Sequence, residues 1–164
     1  MSFSAIFPWT IPFFRWCDHT WLCNAIKATT WVFPLTETIH ILALVVLLGS
    51  IMLLDFRLLG IGIRNWTPWR ISHELRRYVF WSLLVILVTG WLLFMAEPMK
   101  AYDNMAFLPK MTLLFSAILF HYTIFLRASS IDKLYTPLIA KFAALVSLGL
   151  WFGIGVMGRA IGFV

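Results

Sequence analysis

Four long apolar runs dominate this chain, separated by short segments in which arginine and lysine gather. A helix needs about 20 mostly apolar residues to cross a bilayer. The pattern therefore predicts spans over 34–59, 77–96, 109–126 and 138–161. Their ends carry recognisable signals. Val45–Leu54 is the oily middle of the first, and the second stops before Glu97-Pro98, a pair that halts a helix. Pro109 opens the third, where its missing N–H costs nothing. The expected fold is all-α: a four-transmembrane-helix bundle over residues 34–164, with an N-terminal interfacial (amphipathic) segment before it.

Residues 1–33 are too broken to span. Pro8 and Pro12 interrupt them, and Trp9, Trp16, Trp21 and Trp31 lie among Arg15, Asp18, His19 and Lys27. This reads as a segment in the headgroup plane with a short helix after Pro12, or as a docking surface for a partner protein. It has neither the basic start nor the cleavage site of a secretory signal.

Composition agrees with a lipid-solvated chain. Of 164 residues, 62% are hydrophobic and 12% charged, against roughly 25% charged in a soluble domain. A small domain buries only about two-thirds of its surface, too little to hide this much apolar area from water. The net charge of +6 does not indicate nucleic acid, because the cations sit between apolar blocks. Arg57, Arg64, Arg70, Arg76, Arg77, Arg127, Lys133 and Lys141 flank one end of the spans, against Arg15, Lys27, Lys100, Lys110 and Arg159 elsewhere. The positive-inside rule then places both termini away from the cytoplasm, in a bacterium on the periplasmic side of the inner membrane. The expected partners are lipid and other membrane or periplasmic proteins of a larger complex.

Ionisable groups inside spans cost roughly 2.5–3.5 kcal/mol each on insertion scales and usually face the bundle interior. The first span carries Glu37, His40 and Asp55. Eighteen residues put Glu37 and Asp55 on one face, with His40 about 60° away; Asp55 is expected at the membrane boundary, and Glu37 is placed to orient His40. Lys110 and His121 share a face of the third span, with Thr112, Ser116, Thr123 and Arg127 opposite. Ser82 and Thr89 share a face of the second, where Thr89-Gly90 is a close-packing point. Gly149, Gly153, Gly158 and Gly162 let a neighbouring helix approach the fourth, inside the bundle or in a dimer.

His40 and His121 are the intramembrane imidazoles, and histidines on facing helices commonly hold b-type haem. Depth strains that pair: at 1.5 Å per residue, His40 lies roughly 9 Å below the boundary at Pro34 and His121 roughly 18 Å below that at Pro109. Met157 matches His40 better, and His73 could approach the level of His121. Met95, Met99, Met105 and Met111 crowd the connection between spans two and three, where thioethers suit Cu(I) but also serve as gap filler. Cys17 and Cys23, six residues apart, could pair only across a break in the helix. No phosphate loop, nucleophile elbow or hydrolytic carboxylate pair is present.

The run Phe33-Pro-Leu-Thr-Glu37-Thr-Ile-His40-Ile-Leu-Ala-Leu, with Asp55-Phe-Arg57-Leu-Leu-Gly60, Phe107-Leu-Pro-Lys110 and Ser147-Leu-Gly-Leu-Trp151-Phe-Gly153, resembles an uncharacterised family of small bacterial four-helix membrane proteins. At greater distance, Ile39-His40-Ile-Leu-Ala and Lys110…His121-Tyr122 resemble the copper-resistance D proteins and the J-type protoporphyrinogen oxidases. In those oxidases a first-helix histidine and a third-helix lysine serve a haem- or porphyrin-related site. The resemblance would give those roles to His40 and Lys110. The polar C-terminal motif of the oxidases is missing, since this chain ends Gly162-Phe-Val.

The expected function is a redox-type membrane component passing electrons through haem b, a porphyrin or a quinone. His40, and for haem iron His121 or Met157, would bind the group; Glu37 would orient His40, and Lys110 or Arg159 would meet carboxylates. The rivals are a non-catalytic accessory subunit of a larger complex and a copper-related permease or sensor.

Overall fold

The computed structural model describes residues 7–62, 65–131 and 137–161; Arg64, Lys133 and Gly162 lie outside that set. The described residues form helices joined by short turns, with no strand among them. Four of its helices are long and apolar enough to cross a membrane: α3 (Val32–Leu59), α4 (Pro68–Ala96), α6 (Phe107–Ser129) and α7 (Leu138–Ala160). Phe115, Phe142 and Phe152 stand on their outer faces, each at least 68% exposed, surface that only lipid can solvate at low cost. The chain is a multi-pass membrane protein.

The spans begin and end at signals in the sequence, with one sizeable difference. α4 starts at Pro68, nine residues before the apolar run suggests. Thr67 caps it by accepting the Arg70 N–H, and Pro68 sits at the first helical position. An apolar window detects only the part of a helix that lies in hydrocarbon; the polar turns from Arg70 to Arg77 continue the same helix. Gly60, at φ 86°, ends α3 in the left-handed conformation that spares glycine a Cβ clash. α4 stops before Glu97-Pro98, as the sequence predicts, and Pro98 starts a further short helix, α5 (Pro98–Asp103).

α3 is the centre of the bundle. It packs along α4 on one side and α7 on the other, and α6 packs on α7. α4 and α6 scarcely touch, so the ring of four is open between them. Leu47, Ile51, Leu83, Ile86, Ala117 and Trp151 fill the middle. Leu54, Leu58, Ile71, Phe125, Ala140 and Ala144 close the end where Arg57, Arg70 and Arg127 gather, here called the arginine side.

The other end, the terminal side, is covered by the N-terminal segment. Instead of one short helix, a 3-10 turn (Pro8–Thr10) leads into α1 (Ile11–Asp18) and α2 (Trp21–Ala28). Thr20 makes the break, donating its hydroxyl to the Cys17 carbonyl at 2.7 Å and accepting the Cys23 N–H at 3.4 Å. Cys17 and Ile26 face inward against Met95 and Ala96, while Trp9, Trp16, Trp21 and Trp31 face outward. Both cysteines are fully buried free thiols despite the break between them, and burial pushes the Cys17 thiol up from its ordinary value.

Lys27 donates to Asp18 at 2.7 Å across the α1–α2 corner and holds that carboxyl below its ordinary value. A carboxylate lowered by folding stabilises the fold above its unfolded pKa and loses that contribution as pH falls through the folded one. Both side chains are partly exposed, so the effect is well under about 1 kcal/mol. Protection factors for amide exchange over residues 11–28 should therefore fall slightly below about pH 4 while those of the spans hold, and Lys27→Met should remove most of that pH dependence.

Candidate functional site

In a bundle solvated by lipid, a polar side chain must find its partner on a neighbouring helix or keep a ligand. His40, Lys110 and Asp55 each meet a glycine or a hydroxyl on a neighbouring helix.

His40 of α3 is half-buried against α4. Its Nδ1 lies 2.8 Å from the Thr89 hydroxyl. That hydroxyl has one proton, and the Val85 carbonyl, 2.6 Å away, takes it in the usual back-bond of a helical threonine. The histidine is therefore the donor: its proton is on Nδ1, leaving Nε2 with a lone pair. Gly90, next to Thr89, makes room for the ring. A Cβ there would already stand 3.4 Å from Cε1 of His40.

Lys110 approaches the same region from α6. It lies along α7 at Gly158, where an added Cβ would meet its Cε at 3.6 Å and its Nζ at 3.7 Å. The ammonium is close enough to His40 to act on it electrostatically. Among the described residues the ion pairs are Asp18–Lys27 and Glu97–Lys100, and neither includes Lys110. The terminal half of the bundle thus holds an imidazole with a free lone pair within electrostatic reach of Lys110, which has no carboxylate partner among the described residues. Met157, half-buried, precedes the glycine on which the lysine rests, and Arg159, exposed, follows it.

Other expected groups fall elsewhere. Glu37 is exposed, and His40 is oriented by Thr89 rather than by this carboxylate. Asp55, expected at a boundary, is instead fully buried, its Oδ2 accepting the Ser147 hydroxyl at 3.1 Å. One helix face therefore does not make one polar stripe. A straight helix drifts about 20° per heptad against a supercoiled neighbour, roughly 50° over the eighteen residues between Glu37 and Asp55, so only the latter meets α7. Oδ1 of Asp55 has no partner among the described residues. It borders a groove of about 310 Å³ between α3 and α7, lined also by Met52, Gly149 and Phe152.

His121 is buried in the other half of the bundle. It lines a cavity with Ser50, Ile51 and Leu54 of α3, ten to fourteen residues beyond His40 and so about 15–20 Å further along the axis. The two imidazoles cannot ligate one iron. His73 borders the same cavity but is exposed and stacks on Trp69. The methionines do not share one setting: Met95 is buried in the terminal cluster, whereas Met105 and Met111 are exposed. Among the described residues no three His, Cys, Asp or Glu side chains gather as a metal cluster. Thr112, Ser116, Thr123 and Arg127 face outward. Gly153 packs against Leu113 inside the bundle, while Gly149 is exposed at the groove.

Sequence reasoning did not anticipate Ser147 as the partner of Asp55 or Gly158 as the seat of Lys110. The quartet spacing of small residues on α7 was the available signal for both, since small groups mark close approach without naming what approaches.

Removing the Ser147 hydroxyl strands both carboxyl oxygens, a loss of about 1–3 kcal/mol; Ser147→Ala should lower the thermal midpoint in detergent. Gly90→Ala should be tolerated. Gly90→Val adds branches where the ring lies and should destabilise by about 1–3 kcal/mol, read in the same melt.

A family model described as Family of unknown function (DUF6644) matches residues 13–164. The chain belongs to that family. No curated protein and no solved structure matches it.

Proposed function

We propose that this DUF6644 member is a redox-type component of the bacterial inner membrane. It holds a b-type haem or a related porphyrin in the terminal half of its bundle and passes electrons rather than breaking bonds. The carrying observation is the His40–Thr89 hydrogen bond, which Lys110 approaches from α6 along Gly158. It leaves Nε2 as a lone-pair donor suited to iron, and the Nδ1–H anchor is what a ligating histidine needs to keep its tautomer and orientation. A quinone, whose oxygens accept hydrogen bonds, would find no proton on that nitrogen. Lys110, laid on Gly158 without a carboxylate, suits the propionate of a porphyrin, and Arg159 could meet the other at the surface. In this reading Met157, matched to His40 in depth by the sequence, is the second ligand; His121 is too far away. Bound haem would supply a one-electron couple. The chain's own residues supply an oriented imidazole and a cation seated on Gly158.

The distant resemblance to the J-type protoporphyrinogen oxidases favours the same pair, His40 and Lys110. The arginine side would face the cytoplasm, which puts the site and both termini on the periplasmic side.

The test is to add haemin to the purified full-length chain and record the dithionite-reduced spectrum. The expected result is a Soret and α band, lost in His40→Ala. Half-saturation should be raised about tenfold or more in Thr89→Val, by the usual effect of losing a ligand's anchor. An unchanged spectrum in His40→Ala, or no band in the parent protein, would refute it.

A second reading, a non-catalytic accessory subunit, rests on the indoles of Trp21 and Trp31, each 81% exposed on the terminal side. Aromatic residues of this kind suit the centre of a protein interface as well as a headgroup layer. A stoichiometric partner in mild detergent, lost on replacing both indoles with serine, would support it; a chain free of partners and carrying pigment would exclude it.

A further inference from the structure

The opening between α4 and α6 encloses a cavity of about 680 Å³, within the range of small-molecule sites. Its floor is α3 at Ser50, Ile51 and Leu54; its walls are α4 from Ser72 to Trp81 and α6 at His121, Tyr122 and Leu126. Because these two helices scarcely touch, the cavity opens sideways, toward lipid.

One feature of its wall is costly as it stands. His121 is 6% exposed, and its Nδ1 is buried with no hydrogen-bond partner among the described residues. Buried polar groups in native proteins are nearly always paired, and an orphan marks a role outside the bare chain. The backbone departs from α-helix at the same place. A π-helical turn runs from His121 to Phe125, closed by the Leu126 N–H donating to the His121 carbonyl. Such single-turn π segments occur often at functional sites. Cavity, imidazole and π turn coincide; Nδ1 is sealed within the protein, so the ring meets the cavity with Nε2.

We propose that this cavity binds a membrane-soluble quinone, with a head-group carbonyl oxygen accepting the Nε2–H of His121 and the isoprenoid tail leaving between α4 and α6. The chemistry selects that occupant. A neutral imidazole presents one donor and one acceptor, and unlike His40 no protein hydroxyl holds this ring in one tautomer. A quinone brings acceptor oxygens on a flat apolar ring, which suits a slot faced by Phe80, Tyr122 and Ile51. Its entry path is the bilayer itself. A phospholipid phosphate is the competing source of acceptor oxygens. It would be drawn to Arg76 and Arg77 at the exposed rim and would leave only acyl chain against His121, whose Nε2 would stay unpaired.

The experiment uses the full-length chain in phosphatidylcholine nanodiscs with radiolabelled decylubiquinone, counting quinone held above that of empty discs. We expect saturable binding of one per chain. His121→Phe, which keeps an aromatic ring but removes both nitrogens, should weaken it at least about tenfold, and His121→Gln, which restores an N–H, should recover most of the loss. Ser72→Trp, a half-buried wall residue, should block the cavity without touching His121. No saturable binding, or equal affinity in His121→Phe, would overturn the proposal. So would displacement of the quinone by phosphatidylglycerol that Arg76→Gln/Arg77→Gln abolishes, which would assign the cavity to a lipid headgroup. The assay needs no haem, so its failure would leave the reading of the His40 site untouched.

Discussion

The structure depends on one constraint: inside a bilayer there is no water to complete a polar group's hydrogen bonds, so the chain or a ligand must do it. Backbone groups meet it by forming helices. Outward hydroxyls meet it locally, as Thr123 does by donating to the Leu119 carbonyl at 2.6 Å and Thr112 to the Pro109 carbonyl at 2.9 Å. These residues cost the bundle little, which is why they can face lipid. Ionisable groups have no such local remedy, and their positions record where helices must approach one another.

Small residues provide that approach. Gly90 admits the ring of His40, and Gly158 seats the chain of Lys110. At both points a side chain, rather than a second backbone, fills the space that glycine leaves. The usual inference from small residues four apart is tight helix-on-helix packing. Here it is accurate at Gly153, which meets Leu113, and incomplete at Gly158. The same spacing serves both ends because it specifies an absence of bulk and nothing more.

Much of the fold was legible because it follows from hydropathy. The four spans, the inward face of Lys110 and His121, and the outward face of Thr112, Ser116, Thr123 and Arg127 all follow from apolar length and 100° per residue. Three things were not. The early start of α4 is set by Thr67 and Pro68, polar signals that lie before the apolar run. The burial of Asp55 depends on α7 crossing at Ser147, a pairing 92 positions apart that no local pattern encodes. The π turn at His121 requires a change of hydrogen-bond register, and its sequence, His-Tyr-Thr-Ile-Phe, is indistinguishable in pattern from ordinary helix. Face arithmetic was less durable: the shared face of Glu37 and Asp55 failed once neighbours were in place.

The partners of these groups are also informative by type. His40 is held by a threonine and Asp55 by a serine; neither bonds to an opposite charge. A buried ion pair satisfies both members and makes them costly to separate. A hydroxyl satisfies a single atom and leaves the rest of the group available. Thr89 occupies Nδ1 and leaves Nε2 open; Ser147 occupies Oδ2 and leaves Oδ1 open. Lys110 is given space and, among the described residues, no counter-charge. A bundle selected only for stability would replace such groups with leucine, since apolar substitutes for buried polar clusters are often neutral or stabilising. Half-satisfied His40 and Asp55, with the unpartnered Nδ1 of His121, are the observations from which occupants are proposed. This is why the two proposed ligands differ in chemistry: one is drawn by a lone pair and a cation, the other by a free N–H in an apolar slot.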